Sequence, residues 1–187
     1  MVLVPFMLLF MFQVDLPVFS AWNTFNNKYG MVLALIIFSV ASITDYYDGK
    51  IARSQNIVTD LGKLLDPIAD KLLVLSAYIA FASLGRVTLW TPCILLFREL
   101  SVTGIRSVAA GKGEIIAADF FGKFKAVCQI ISIILLMCEH ILSVYISNKV
   151  FIMAFIVINN ILLVAVIVLT LSSGINYFVK YRHLLTE

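Results

Sequence analysis

Six long apolar stretches constrain the fold of this chain more than any other feature. They cover roughly residues 1–13, 30–53, 64–84, 87–110, 122–143 and 150–178. Several approach the roughly 20 residues that a helix needs to cross the hydrocarbon core of a bilayer. Hydrophobic residues make up 61% of the chain, which is more than a soluble globular domain usually contains. The sequence therefore predicts an all-α, polytopic membrane protein with six transmembrane helices in a bundle.

Polar connections separate the apolar stretches and indicate their orientation. We expect residues 14–29 to form an interfacial loop with an aromatic belt, and we expect turns near residues 86–92, 110–114 and 147–149. If the first helix begins in the cytoplasm, the non-cytoplasmic loops hold only three basic residues, Lys28, Arg86 and Lys149. This bias predicts a multi-pass plasma-membrane protein with both termini in the cytoplasm. The net charge of only +3 does not indicate nucleic-acid binding.

Four aspartates lie between the second and third apolar stretches: Asp45, Asp48, Asp66 and Asp70. Helical spacing would place the first two on one helix face and the last two on one face of the next helix. Ionised carboxylates are costly in a membrane, and four together repel one another unless cations neutralise them. Oxygen ligands without His or Cys favour Mg²⁺ or Mn²⁺ over zinc. Two such ions roughly 3.5–4 Å apart could clamp a phosphoryl group during its transfer.

Small and basic residues accompany these aspartates. Gly49 and Ala52 leave the first helix face without bulk, so a ligand could approach the backbone closely. Arg53, one residue further on, could brace a phosphate or a carboxylate. The alternative is a purely structural role for the aspartates, with their charge neutralised by Arg53, Lys63 and Lys71.

A second basic set follows in the fourth and fifth apolar stretches. Arg98 lies near the middle of the fourth stretch, Arg106 two turns later, and Lys123 and Lys125 open the fifth. A guanidinium at membrane depth needs an acidic partner or a bound anion, so these residues could bind a phosphate-bearing substrate. Alternatively, Arg98 forms a structural ion pair, and the other three are anchors on the cytoplasmic side.

The acidic segment resembles the signature of the CDP-alcohol phosphotransferase family, which it reproduces without a gap. The motif reads Asp45-x2-Asp48-Gly49-x2-Ala52-Arg53-x8-Gly62-x3-Asp66-x3-Asp70. At about 5–8% usage per residue type, eight such matches arise by chance on the order of once in 10¹⁰ placements. A looser pattern is similar to the bacterial phosphatidylglycerophosphate synthase branch of the family. It reads Arg98-Glu99-Leu100-x-Val102-x-Gly104-Ile105-Arg106, followed by Gly122-Lys123-x-Lys125.

The resemblance implies a six-helix membrane enzyme, usually a homodimer, with a polar cavity that faces the cytoplasm. Members transfer a phosphatidyl group from CDP-diacylglycerol to an alcohol and release CMP. In this branch the acceptor is sn-glycerol 3-phosphate, and the product is phosphatidylglycerophosphate. The chain would then form a single domain over residues 1–187.

The resemblance also implies roles for individual residues. Metal ligands would be Asp45, Asp48, Asp66 and Asp70, which would hold two divalent ions, Mg²⁺ or Mn²⁺. Asp70 would in addition act as the general base. Positions that the family uses for the cytidine nucleotide are Gly49, Ala52, Arg53 and Gly62. The acceptor phosphate would lie against the basic set of Arg98, Arg106, Lys123 and Lys125.

Two points stay open at this level. The acceptor could instead be inositol phosphate, serine or phosphatidylglycerol, and the acids could line the cation pathway of a divalent-metal transporter. Family members also begin with a short amphipathic segment before the first helix. That segment is not found here, which puts any nucleotide or headgroup contacts from it in doubt. Either residues 13–17 complete the first helix, or the chain as given lacks residues upstream.

Overall fold

The computed structural model describes residues 3–13, 17–55, 60–112, 120–146 and 148–182. Within these ranges, the side chains of residues 17, 46, 48–55, 60–70, 120, 121 and 123 lie outside the description. The described residues form α-helices with short 3-10 and π segments, and no strand occurs among them. The predicted all-α class is therefore confirmed.

The helices follow the apolar stretches of the sequence. The α-helices are α1 (Leu3–Met11), α2 (Ser20–Phe25), α3 (Met31–Gln55), α4 (Asp60–Ser83), α5 (Trp90–Gly111), α6 (Phe120–Tyr145) and α7 (Lys149–Tyr181). In the described part of the chain, three segments are long and apolar enough to cross a bilayer: Ser20–Asp45, Phe124–Tyr145 and Lys149–Tyr181. The nine residues of α1 extend only about 14 Å, roughly half of the hydrocarbon core.

The predicted loop over residues 14–29 is wrong for its described part, which is helical. A 3-10 turn at Pro17–Phe19 leads into α2, and a π segment at Asn26–Gly30 continues into α3. The contacts of this segment with α1 explain the difference, because they stabilise a helix that local propensity does not favour. The side-chain amide of Asn26 donates to the Phe12 carbonyl at 2.7 Å. A Cβ on Gly30 would lie 2.5 Å from the Phe10 carbonyl oxygen, so glycine permits this close approach.

The main core lies where α3, α4 and α6 meet. Phe38 of α3, Tyr78 and Phe81 of α4, and Ile133 and Met137 of α6 are fully buried. α6 also packs against α7, and α5 packs against α4 and α7. This arrangement brings the first half of α4, the middle of α5 and the start of α6 close together, which determines the geometry of the polar cluster described below.

A separate polar group lies after the end of α4 and near the end of α6. Gly85 has a φ of 69°, a left-handed conformation that suits glycine after a helix C-terminus. The next residue, Arg86, donates from Nη1 to Glu139 Oε1 at 3.0 Å. Asn159 of α7 donates from Nδ2 to Glu139 Oε2 at 2.6 Å. Glu139 thus links the α4–α5 turn to α6 and α7.

Candidate active site

The eight motif positions lie on two consecutive helices. Asp45, Asp48, Gly49, Ala52 and Arg53 belong to the second half of α3, and Gly62, Asp66 and Asp70 belong to the first half of α4. α3 and α4 contact each other, and only residues 56–59 separate them. The four acidic positions therefore lie towards the same end of a helical hairpin, with the helical spacing that the sequence predicts.

The contacts of most motif side chains stay predictions. Side chains 48–55 and 60–70 lie outside the described residues, so the ligand roles of Asp48, Asp66 and Asp70 and the nucleotide contacts stay untested. Asp45 is described, and its side chain is exposed. Among the described side chains, no three His, Cys, Asp or Glu residues converge as a metal site would require. The structure thus offers no competing metal centre within that part of the chain.

The described part of the site is a cluster of three cations around Glu99, which we call the Glu99 cluster: Lys71, Arg98, Glu99 and Lys125. Glu99 Oε1 lies 3.2 Å from Arg98 Nη1 and also accepts a hydrogen bond from Lys125 Nζ. Glu99 Oε2 lies 3.6 Å from Lys71 Nζ. Lys71 also donates to the Thr103 hydroxyl at 2.6 Å. One carboxylate of α5 thereby joins α4, α5 and α6, and the four charges sum to +2.

Arg98 is packed between two helices that present glycine or serine to it. Its Nη2 donates to the Ser173 hydroxyl of α7 at 2.6 Å. A Cβ on Gly174 would lie 3.1 Å from Arg98 Cγ, and a Cβ on Gly122 of α6 would lie 3.9 Å from Arg98 Nη2. The side chain is only 10% exposed, and its Nε is buried without a hydrogen-bond partner among the described residues. Arg98 thus pairs with its neighbour on α5 and not with an acid of another described helix, and its Nε remains available to a further acceptor.

The other predicted phosphate-binding residues differ in where the structure places them relative to the Glu99 cluster. Lys125 joins the Glu99 cluster and is 3% exposed. Arg106 does not contact the cluster through any described interaction. Its Nε donates to the Tyr177 hydroxyl at 3.0 Å, and its guanidinium lies 5.6 Å from the centre of that ring. The side chain of Lys123 lies outside the described residues. The structure thus brings Arg98 and Lys125 together and places Arg106 elsewhere on α5.

Sequence reasoning assigned neither Lys71 nor Glu99 to this site. The sequence suggests Lys71 only as a neutralising partner for the aspartates and shows Glu99 only as the neighbour of Arg98. A signal existed, since Glu99 and Thr103 are four residues apart and share a helix face. The i, i+4 rule does not reveal that Lys71 of another helix contacts both of them.

Comparison with known proteins identifies the family. A model of the CDP-alcohol phosphatidyltransferase family matches residues 1–172 of the 187. The chain belongs to this family. The predicted resemblance, which rested on the aspartate motif, is confirmed.

Relatives agree with the branch that the second motif indicated. The chain is 44% identical over 106 residues to the CDP-diacylglycerol–glycerol-3-phosphate 3-phosphatidyltransferase of Bacillus subtilis. The match covers 57% of this chain and 55% of that protein, so the chain spans about half the length of this relative. It is 34% identical over 166 residues to the enzyme of the same name from Rickettsia typhi, covering 87% and 88% of the two chains. A probable phosphatidylglycerophosphate synthase of Mycobacterium tuberculosis is 34% identical over 155 residues, with 83% and 68% covered.

Proposed function

We propose that this protein transfers the phosphatidyl group of CDP-diacylglycerol to sn-glycerol 3-phosphate, giving phosphatidylglycerophosphate and CMP. Its membership of the family supports the phosphatidyl transfer. The names of relatives that are 34% to 44% identical support the acceptor. The new bond joins a hydroxyl oxygen of the acceptor to the β-phosphorus of the CDP group, the one that bears diacylglycerol. CMP leaves with the electron pair of the broken phosphoanhydride bond.

The observation that carries the acceptor assignment is the charge of the Glu99 cluster. Three cations surround one carboxylate, and the excess of two positive charges is partly buried. Excess buried cations need an anion, and a phosphate dianion matches this excess. The buried Nε of Arg98 has no partner among the described side chains, and a phosphate oxygen could accept its hydrogen bond. Serine has no phosphate, and phosphatidylglycerol offers only a singly charged diester, so both fit the cluster less well.

The donor set of the aspartate hairpin fits divalent metal. Its four members lie at spacings of three and four residues on contacting helices, and all are oxygen ligands. Asp45, Asp48, Asp66 and Asp70 would hold two ions, either Mg²⁺ or Mn²⁺. Bound there, the ions would neutralise the pyrophosphate and stabilise charge that develops during displacement.

The remaining steps belong to side chains of this chain. Gly49, Ala52, Arg53 and Gly62 would surround the cytidine nucleotide, while the Glu99 cluster holds the phosphate of the acceptor. Asp70 would accept the proton of the attacking hydroxyl, which raises the nucleophilicity of its oxygen. Lys71, the next residue of α4, belongs to this cluster through its contact with Glu99. One helix therefore carries both the proposed base and part of the proposed phosphate site.

The same proposal includes the placement of the enzyme in the membrane. Six helices would form a bundle in the plasma membrane, with a polar cavity and both termini facing the cytoplasm. Acyl chains of CDP-diacylglycerol would stay in lipid while the headgroup enters the cavity. The working form would be a homodimer within the bilayer.

An acceptor panel tests the proposed reaction. CMP release from CDP-diacylglycerol is measured with glycerol 3-phosphate, inositol phosphate, serine and phosphatidylglycerol, with unphosphorylated glycerol as the matched control. We expect release with glycerol 3-phosphate and little with glycerol. Turnover with serine or phosphatidylglycerol but not with glycerol 3-phosphate would overturn the acceptor assignment. Metal flux into vesicles without any CMP release would favour the transporter.

A further inference from the structure

Glu99 is the one acidic group at the convergence of three cations in the described part of the site. Its two carboxylate oxygens contact Lys71 of α4, Arg98 of α5 and Lys125 of α6. Three long side chains from three helices would otherwise repel one another and move apart. The carboxylate therefore determines where the cations lie as well as their net charge.

Lys125 depends most strongly on this carboxylate. Its side chain is 3% exposed, and Glu99 is its only ion-pair partner among the described residues. An ammonium group that is buried without a counter-ion is strongly unfavourable. If Glu99 lost its charge, Lys125 would have to become neutral or leave its position. Either change removes a cation from the cluster.

Lys71 and Arg98 each have a second, neutral partner. Lys71 donates to Thr103, and Arg98 donates to Ser173. Each hydroxyl gives its cation a second contact besides the one with Glu99. Thr103 lies one helical turn beyond Glu99, so a single face of α5 holds Lys71 at two points.

We infer that Glu99 is a positioning residue, which holds Lys71, Arg98 and Lys125 as a preformed site of charge +2 for the doubly charged phosphate of the acceptor. This inference rests on the proposed function and extends it. It assigns Lys71 to the acceptor site together with Arg98 and Lys125. It assigns Glu99 no contact with the reacting atoms.

The direction in which acceptor binding changes when Glu99 is neutralised distinguishes a positioning role from simple electrostatic repulsion. A carboxylate near a phosphate site repels the phosphate, so its neutralisation should strengthen acceptor binding if the cations stayed in place. If Glu99 positions the cations, its neutralisation should weaken acceptor binding instead. The variant Glu99→Gln keeps the size of the side chain and removes the charge, so it compares the two effects directly.

The experiment measures KM for glycerol 3-phosphate and for CDP-diacylglycerol in the full-length enzyme in lipid, by CMP release. Glu99→Gln should raise the acceptor KM about tenfold or more, with the CDP-diacylglycerol KM within about twofold. Glu99→Asp keeps the charge and should recover part of the loss. The matched control is Glu139→Gln, which removes a more deeply buried carboxylate from its pair with Arg86. Lys125 and Glu139 lie fourteen residues apart on α6, about 21 Å, so the acceptor KM should stay unchanged in the control.

A second variant covers the case in which Glu99→Gln does not fold. Glu99→Gln combined with Lys125→Met removes both members of the most buried pair, a change that proteins often tolerate. The double variant should accumulate in the membrane as the wild type does and keep a high acceptor KM. A wild-type or lowered acceptor KM in either variant, or an equal rise of both KM values, would overturn the inference.

The wild-type measurement separates this inference from the proposed function. If the wild type ignores glycerol 3-phosphate but uses another phosphorylated acceptor, the proposed acceptor is wrong, and the KM comparison is made with that acceptor. If the wild type uses no phosphorylated acceptor, both proposals are overturned. If it uses glycerol 3-phosphate and Glu99→Gln leaves the KM unchanged, the inference alone is overturned.

Discussion

Gly174→Ala is expected to impair acceptor binding through a displacement of Arg98. The added Cβ would lie 3.1 Å from Arg98 Cγ, whereas carbon atoms pack best about 3.5–4.0 Å apart. Arg98 must therefore retreat by roughly 0.4–0.9 Å, which stretches its 2.6 Å hydrogen bond to the adjacent Ser173. Full loss of a charged hydrogen bond costs about 1.5–3 kcal/mol, so partial loss should cost about 0.5–1.5 kcal/mol. The acceptor KM should rise about 2- to 12-fold.

Gly174→Ala should impair acceptor binding without disrupting the helix that carries the substitution. Alanine is favoured over glycine inside a helix by about 1 kcal/mol, so Gly174→Ala should not lower the stability of α7. Gly122→Ala is the matched control, because its Cβ would lie at an ordinary 3.9 Å from Arg98 Nη2. KM values for glycerol 3-phosphate and CDP-diacylglycerol are measured by CMP release in both variants. The reasoning fails if Gly174→Ala behaves like Gly122→Ala, or if it raises both KM values equally.

Three further predictions concern the metals, the base and Arg106. Chelation should abolish CMP release, and Mg²⁺ or Mn²⁺ should restore it; full activity in excess chelator would contradict a two-metal site. Asp70→Asn should keep metal-dependent CDP-diacylglycerol binding and lose turnover by about 10²-fold or more, while Asp45→Asn or Asp66→Asn should weaken that binding itself. Near wild-type turnover of Asp70→Asn would mean that another group is the base. Arg106→Ala should raise the acceptor KM more than the CDP-diacylglycerol KM. Tyr177→Phe serves as its control, because it removes only the hydroxyl partner of Arg106. Equal effects of Arg106→Ala on both KM values would indicate a structural arginine.

The positions of the helices were predictable because lipid restricts the conformations that an apolar stretch of backbone can adopt. A backbone in lipid must satisfy its own hydrogen bonds, so a long apolar stretch can hardly be anything but a helix. Each of the six predicted stretches corresponds to a helix whose ends differ by at most four residues, as with α4, which begins at Asp60 instead of residue 64. The same reasoning fails for residues 17–29, the described part of the predicted loop, whose composition suggests no helix. There the helical conformation depends on contacts between Asn26 or Gly30 and the backbone of α1.

The candidate site was only partly predictable because its residues come together through tertiary contacts. The aspartate motif follows from spacing within two consecutive helices, which a sequence displays directly. The Glu99 cluster requires α4, α5 and α6 to meet, and no local pattern shows that Lys71 reaches Thr103. Arg106 shows the same limit, because its position on α5 does not reveal its partner on another helix, and its role at the acceptor phosphate stays a prediction. Its described partner is Tyr177 of α7.

The contacts of Lys71 offer a physical reason why acceptor choice and catalysis would be linked in this protein. Lys71 is held at two points on α5, which limits how far α4 can rotate or slide along its axis. Asp70 precedes Lys71, so the same contacts restrain the backbone that carries the proposed base. In the proposed reaction, an acceptor would have to place its phosphate at the Glu99 cluster and its hydroxyl at the proposed base at the same moment. Such alignment can supply a large part of a rate enhancement. The contacts of Lys71 would fix the distance between the Glu99 cluster and Asp70. This distance would favour an acceptor whose phosphate and attacking hydroxyl are separated by a matching length. Glycerol 3-phosphate and inositol phosphate carry similar phosphates, and it is this distance that would distinguish them.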